Sequence, residues 1–130
     1  MLEIIVDSEH ELTIYRCSGC MTEEELTHIL QSLYTGTFTL NILWDYSEAS
    51  LEGISSEFVR QIHGRVQKLG SARLGGKSAI VATKELEYGL ARMFQIMADE
   101  NGFPLRIKLF RSIDEAHQWL LENDQQSGGR

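Results

Sequence analysis

The stretch LNILWDYSEASLEGISSEF, residues Leu40–Phe58, decides the fold. It begins with the apolar run LNILW, which is typical of a buried strand, and an acid follows directly. A polar stretch then leads to Ser55 and Ser56, either of which can begin a helix as its N-cap. We therefore expect Asp45 and Ser47 to lie in a loop beside the start of that helix. Loops after a strand and before a helix N-terminus are where α/β proteins gather ligands and regulatory groups.

Apolar runs alternate with amphipathic helices on both sides of this segment. Upstream, two short runs flank the polar SEHE and predict a hairpin, and TEEEL from Thr22 predicts a helix with Glu25 completing a capping box. Downstream, two more strands are predicted at Ser78–Ala82 and Leu105–Phe110. Two more helices follow, over about Leu86–Asp99 and after Ser112, which is expected to cap the last one.

The predicted order is β-β-α-β-α-β-α-β-α. Strands that alternate with helices indicate an α/β fold with a largely parallel sheet, and the opening hairpin makes the sheet mixed. We therefore expect a mixed, mostly parallel five-stranded sheet with four helices, in one domain over residues 1–123. The last seven residues, 124–130, contain no apolar side chain and predict a disordered tail.

Composition narrows the class of protein. With 130 residues and 42% hydrophobic side chains, the chain can bury a core without disulfides. The first residues lack a basic segment and a long apolar run, and no stretch approaches the ~18 apolar residues of a membrane span. These features predict a cytoplasmic protein with no membrane span. The bases between Arg60 and Lys77 alternate with no aromatic residue and the net charge is −7, so no nucleic-acid partner is expected.

Three local motifs point to a family. Gly19, Met21 and Thr22 supply a glycine, a hydrophobic residue and a helix cap after the second strand, and Trp44–Ser47 ends the third strand in an acid. Near the C-terminus, the segment FRSIDEAHQWL, Phe110–Leu120, predicts a last helix that packs against the rest of the domain. Together they resemble the SpoIIAA-like fold, shared by STAS domains and anti-sigma-factor antagonists, over about residues 2–122. The ending is closer to members of unknown function than to the phosphorylated antagonists.

This resemblance implies a non-enzymatic regulatory or protein-interaction module with an unidentified protein partner and no cofactor. The antagonists are phosphorylated in an Asp-Ser-Ser-Gly-type motif at the start of the second helix. The matching residues here are Ile54–Glu57, so Ser55 and Ser56 are the phosphorylation candidates. The leading acid and trailing glycine are absent, and Glu57 would repel added negative charge. The serines are therefore either a plain helix cap or a cap that also serves as a switch.

The predicted third helix is apolar around much of its circumference. One face carries Leu86, Leu90, Met93, Phe94 and Met97. Such a helix is either plain core, a homodimer interface, or the wall of a pocket for a small apolar ligand, because Met and Phe adapt to varied shapes. The candidate residues for an interface or pocket are Tyr88, Met93, Phe94 and Met97.

Other motifs carry little chemistry. Cys17 and Cys20 form a C-x-x-C, but Thr22 is the better helix cap, so ordinary thiols are expected. The glycine-rich GSARLGGKS leads from a helix into a strand, the wrong order for a phosphate-binding loop. No two of the four histidines have i, i+4 spacing, so no metal site is predicted, and His63 is expected at the surface. No acid, base and nucleophile converge; an enzyme is therefore the least favoured alternative.

Overall fold

The computed structural model describes residues 1–35, 39–69, 76–100, 102 and 106–122. Within these ranges, the order of strands and helices is the one expected from the sequence. The disordered tail predicted at 124–130 and the strand start predicted at Leu105 lie outside the described residues, as does Gly70, where the sequence favours the end of the second helix. None of the described helices has both the length and the apolar character that a membrane crossing requires.

Five strands and four helices make up the described chain, so the α/β class is confirmed. The strands are β1 (Leu2–Asp7), β2 (Leu12–Cys20), β3 (Asn41–Ser50), β4 (Lys77–Val81) and β5 (Arg106–Phe110). The helices are α1 (Glu23–Thr35), α2 (Ser56–Leu69), α3 (Glu85–Glu100) and α4 (Ile113–Leu121). A single 3-10 turn, Ser8–His10, lies within the predicted hairpin between β1 and β2.

The strands are ordered β1-β2-β3-β4-β5, the same as in the sequence, and only β1 pairs antiparallel among them. Because each parallel strand is added on the same side, right-handed crossovers place α1, α2 and α3 on one face of the sheet. That face carries the main core cluster. On the opposite face, α4 packs against a second cluster with Leu12, Leu43 and Val81 at its centre.

Local caps fix where two helices begin. The Thr22 N–H donates to Glu25 Oε1 (2.9 Å), and the Glu25 N–H donates to Thr22 Oγ1 (3.0 Å), which is the expected capping box. Ser112 Oγ accepts a hydrogen bond from the Glu115 N–H (3.3 Å) at the start of α4. At its other end, the buried Lys77 ammonium donates to the carbonyls of Trp119 (2.8 Å) and Glu122 (3.1 Å). These bonds satisfy groups that a helix end otherwise leaves unpaired.

Strand β3 is twice as long as expected, which corrects the prediction that Asp45 and Ser47 lie in a loop. The strand continues to Ser50, and its pairing with β2 shifts by one residue between Arg16–Asp45 and Ser18–Glu48. This extra residue is a β-bulge, and a bulge changes which side chains face the core. Before it, Ile42, Trp44 and Tyr46 face the main core; after it, Ala49 and Leu51 do.

Two expectations about individual helical residues were also wrong. His63, expected at the surface, is only 5% exposed. Its ring packs edge-on against Phe94, with 5.8 Å between ring centroids, because the buried stripe of α2 runs through Val59, His63 and Val66. On α3, Leu86 was expected on the core face but is 47% exposed.

Two glycines in helices offer a test of backbone energetics. Gly64 in α2 and Gly89 in α3 are exposed, and a Cβ on either would meet no atom within 4 Å. We expect Gly64→Ala and Gly89→Ala each to raise the free energy of unfolding by about 0.5–1 kcal/mol, measured by urea denaturation.

Gly19→Ala is the matched control. A Cβ there also meets nothing within 4 Å, but φ is +75°, where a side chain is strained. This variant should lose about 1–2 kcal/mol instead. Three changes of the same sign would show that the backbone conformation does not govern these positions.

Candidate apolar ligand site

A cavity of about 120 Å³ lies between the sheet and the layer formed by α1, α2 and α3. Sixteen residues line it, fourteen from the three helices and from β3, β4 and β5, and two from the connection between β3 and α2. They are Leu26, Leu30, Trp44, Tyr46, Leu51, Ile54, Phe58, Val59, Ile62, Val66, Ser78, Ile80, Leu90, Ala91, Phe94 and Ile107. None of these described lining residues is charged, so the site favours an apolar occupant.

The cavity reflects incomplete packing of the main core. Seven lining side chains are only partly buried although they lie between two layers: Leu30, Trp44, Tyr46, Ile62, Leu90, Phe94 and Ile107. Protein interiors are normally packed as densely as organic crystals, with few voids larger than a water molecule. An apolar cavity of roughly 150 Å³ in another protein core stays dry and accepts benzene. The present cavity is therefore of a size for one aromatic ring or a short hydrocarbon chain.

Aromatic side chains fix the sheet side of the cavity. Trp44 stacks on Tyr15, with 4.7 Å between ring centroids and 15° between ring planes. Tyr46 follows two residues later on the same face of β3, and burial raises the pKa of its phenol far above its usual value. The phenol is therefore neutral, and it brings no negative charge to the apolar surface.

A buried carboxylate of α3 holds one edge of the cavity in place. Glu87 of α3 is 3% exposed, and its Oε2 accepts a hydrogen bond from the Leu51 N–H (2.9 Å). The Leu51 carbonyl in turn accepts from the Ile54 N–H (3.0 Å). These bonds tie α3 to the connection between β3 and α2, so the two elements that carry Leu51, Ile54 and Phe94 are held in a fixed relation.

The predicted loop residues Asp45 and Ser47 instead stabilise the bulge of β3. Asp45 is 2% exposed, and its Oδ1 accepts from the Ser47 N–H (2.9 Å) and Oγ (2.6 Å). Its Oδ2 lies 3.4 Å from Arg16 Nε. The carboxylate is therefore occupied by groups of its own sheet, which is the arrangement of a structural residue.

The two predicted phosphorylation candidates differ in their contacts. Ser55 Oγ accepts from the Phe58 N–H (3.1 Å) and donates to Glu23 Oε2 (3.0 Å), so it is the N-cap of α2. The same Glu23 oxygen accepts from the Ser55 N–H (2.9 Å). Ser56 is the first residue of α2 and is exposed. A carboxylate thus already lies where a phosphate on Ser55 would have to fit.

The four predicted interface or pocket residues of α3 do not form one surface. Phe94 lines the cavity, Met93 packs against the same core, and Met97 is partly buried. Tyr88 lies elsewhere, with its ring 3.9 Å from the Arg111 guanidinium carbon. The sequence analysis missed the contribution of Trp44 and Tyr46 to the cavity. The signal in the sequence was that Ile42, Trp44 and Tyr46 are spaced two residues apart, as on one face of a strand. It was missed because the strand was assumed to end at Trp44.

Potential ligands for a metal are grouped at one place among the described residues. Atoms of Asp7, Glu9 and His10 lie within 4.8 Å of one another in the turn after β1. His10 Nδ1 lies 2.7 Å from Asp7 Oδ2, and this hydrogen bond lowers the pKa of Asp7 and raises that of His10. The group is accounted for as a surface ion pair.

Comparison with known proteins adds no relative: no protein-family model matches this sequence, and no curated protein matches it.

The two thiols provide a test of the C-x-x-C motif. Both cysteines are free; Cys17 is buried and Cys20 is exposed. Burial raises the pKa of Cys17 from 9.0 to about 11. Brief alkylation of the native protein at pH 8 should therefore modify Cys20 and leave Cys17 intact, as read by mass spectrometry. Equal labelling of both would contradict the burial of Cys17.

The same shift gives a pH dependence. Because the unfolded thiol loses its proton first, the contribution of Cys17 to stability is present below pH 9 and is lost as the pH rises towards 11. Cys17→Ala should make the decline in unfolding free energy over this range less steep than in the wild type. If the unfolding free energy of Cys17→Ala declines as steeply as that of the wild type, the pKa of Cys17 is not raised by burial.

Proposed function

We propose that this domain is a non-enzymatic binding module for a small apolar molecule, which occupies the cavity under α3. The observation that carries the proposal is the pocket of about 120 Å³ with an uncharged lining between the sheet and the helices α1, α2 and α3. A domain of this size gains most of its stability from burying apolar side chains, and leaving such a void costs stability. A ligand that fills the void restores the lost contacts.

The lining restricts the chemistry of the ligand. A carboxylate, phosphate or ammonium group would be buried without a charged partner among the described lining residues, which is strongly unfavourable. The side chains with polar groups on the wall are those of Trp44, Tyr46 and Ser78. A hydrocarbon or a single aromatic ring, with at most a hydroxyl group, is the class that fits.

Benzene is a suitable probe of the cavity. At ten times its dissociation constant, it should raise the melting temperature of the wild-type protein by about 3–6 °C. In a Trp119→Phe background, the fluorescence of Trp44 should change over the same concentration range, because Trp44 lines the cavity and Trp119 packs on the opposite face.

Ala91→Phe tests the location, because Ala91 lies on the α3 wall and a larger side chain there fills the space. This variant should lose both responses to benzene. Ile96→Phe is the matched control, since Ile96 is on the same helix, 45% exposed and outside the lining. If Ala91→Phe overpacks the core, Ile62→Ala gives the converse test: the enlarged cavity should accept naphthalene. Responses that are equal in wild type and Ala91→Phe would place benzene elsewhere and refute the proposal.

A second proposed function is a STAS-like regulatory module that acts through a protein partner. The element order and the serine pair at the start of α2 support it. On this proposal, Ser56 is the modified residue, because it is exposed and lies in the first turn, where the helix dipole favours a negative group. Ser55 serves as the cap.

Phosphomimetic variants separate the two serines. Ser55→Glu removes a cap and places a second carboxylate beside Glu23, so it should lower the free energy of unfolding by about 1–2 kcal/mol. Ser56→Glu should change it by less than about 0.5 kcal/mol. Mass spectrometry of protein isolated from its own cells should find phosphate on Ser56, and phosphate confined to Ser55 would exclude this version of the switch.

A further inference from the structure

Strand β1 presents a regular row of backbone groups at the outer edge of the sheet. Met1 and Ser18 exchange two hydrogen bonds, of 2.7 and 2.9 Å, at the end of the β1–β2 pair. In an antiparallel pair, hydrogen-bonded and non-hydrogen-bonded positions alternate. The N–H and C=O groups of Glu3, Ile5 and Asp7 therefore point to β2. Those of Leu2, Ile4 and Val6 point outward, where no strand pairs with β1 among the described residues.

The side chains of these same three residues form an apolar row. Leu2, Ile4 and Val6 are 36%, 54% and 62% exposed, and they share one face of β1 because side chains alternate along a strand. Edge strands are commonly protected by a proline, a lysine or a bulge. β1 contains none of these in its six residues, and its acids, Glu3 and Asp7, project from the other face.

We infer that β1 is a self-association surface, on which the β1 strand of a second copy pairs antiparallel about a two-fold axis at Ile4. Ile4 then pairs with Ile4 of the second copy, and Leu2 pairs with its Val6. All three outward positions are used in this register, which gives six backbone hydrogen bonds between the copies. The two sheets become one of ten strands, and the two apolar rows join into one.

Charge selects this register over its neighbours. With the axis at Glu3, two glutamates lie opposite each other, and only two outward pairs form. With the axis at Ile5, Glu3 lies opposite Asp7, and again only two outward pairs form. Like charges directly opposite in a sheet are destabilising. With the axis at Ile4, Glu3 faces Ile5, so each acid lies opposite an apolar residue. The strand is thus complementary to itself, which favours a second copy over an unrelated strand.

The association should be concentration-dependent, because one strand pair buries less surface than a standard interface. Analytical ultracentrifugation of the full chain should show a dimer that dissociates on dilution. Ile4→Lys places two ammonium groups on the axis and should raise the dissociation constant at least about tenfold. Ile4→Pro should do the same by removing an outward N–H that the monomer does not use. Ile96→Lys, at an exposed apolar residue of α3, is the matched control and should leave the dimer intact.

Single cysteines test the register. In a Cys20→Ser background, Ile4→Cys should form a disulfide-linked dimer, since paired Cα atoms lie about 5.5 Å apart. Neither Leu2→Cys nor Val6→Cys should link when it is the only variant present, whereas the double variant, or a mixture of the two single variants, should. A monomer at every concentration would overturn the inference. So would a dimer that survives Ile4→Lys and Ile4→Pro or that Ile96→Lys abolishes, and so would cross-links in another register.

Discussion

The buried carboxylate of Asp45 is the constraint on which the architecture depends. It accepts two hydrogen bonds from Ser47 and thereby holds the extra residue of the bulge in β3. A shift of one residue in a strand exchanges its two faces. Because of the shift, Trp44 before the bulge and Ala49 after it both face the main core. Without it, the second half of β3 would direct its polar side chains at the helical layer, and the cavity would lose the wall at Leu51.

The bulge also lies where the pairing of β3 with its two neighbouring strands begins to differ. β3 pairs with β4 only as far as Asp45, whereas its pairing with β2 continues to Ser50. The part of β3 after Asp45, which pairs with β2 and not with β4, leads directly to Leu51. The Leu51 N–H donates a hydrogen bond to Glu87 of α3. Two acids buried in different layers therefore position the same connection. Each acid has polar partners of its own chain, as buried charges require.

The sequence predicted the element order well and this region poorly, for one physical reason. Helix caps and continuous apolar strands depend on neighbours in the chain, so Thr22, Glu25 and Ser112 were correctly identified as cap residues. The extension of β3 depends on a bulge, which breaks the period of two and resembles a polar loop in the sequence. His63 was also misplaced: its ring packs against Phe94, a residue of another helix, and this contact cannot be read from the neighbours of His63 in the sequence. The cavity could not be predicted, because a void is defined by how six elements meet rather than by any one of them.

The order of the strands has a consequence for how the chain is made. Each strand pairs with the strand that precedes it in the sequence, so the sheet can grow by one strand at a time as residues leave the ribosome. The sheet face opposite the three-helix layer is covered later than the other face, because the helix that covers it, α4, is the last element described. The Lys77 ammonium can bind the carbonyls of Trp119 and Glu122 only after these residues, more than forty positions later in the chain, have been synthesised. During synthesis, the apolar face of the nascent sheet that α4 covers therefore stays exposed until α4 itself has been made.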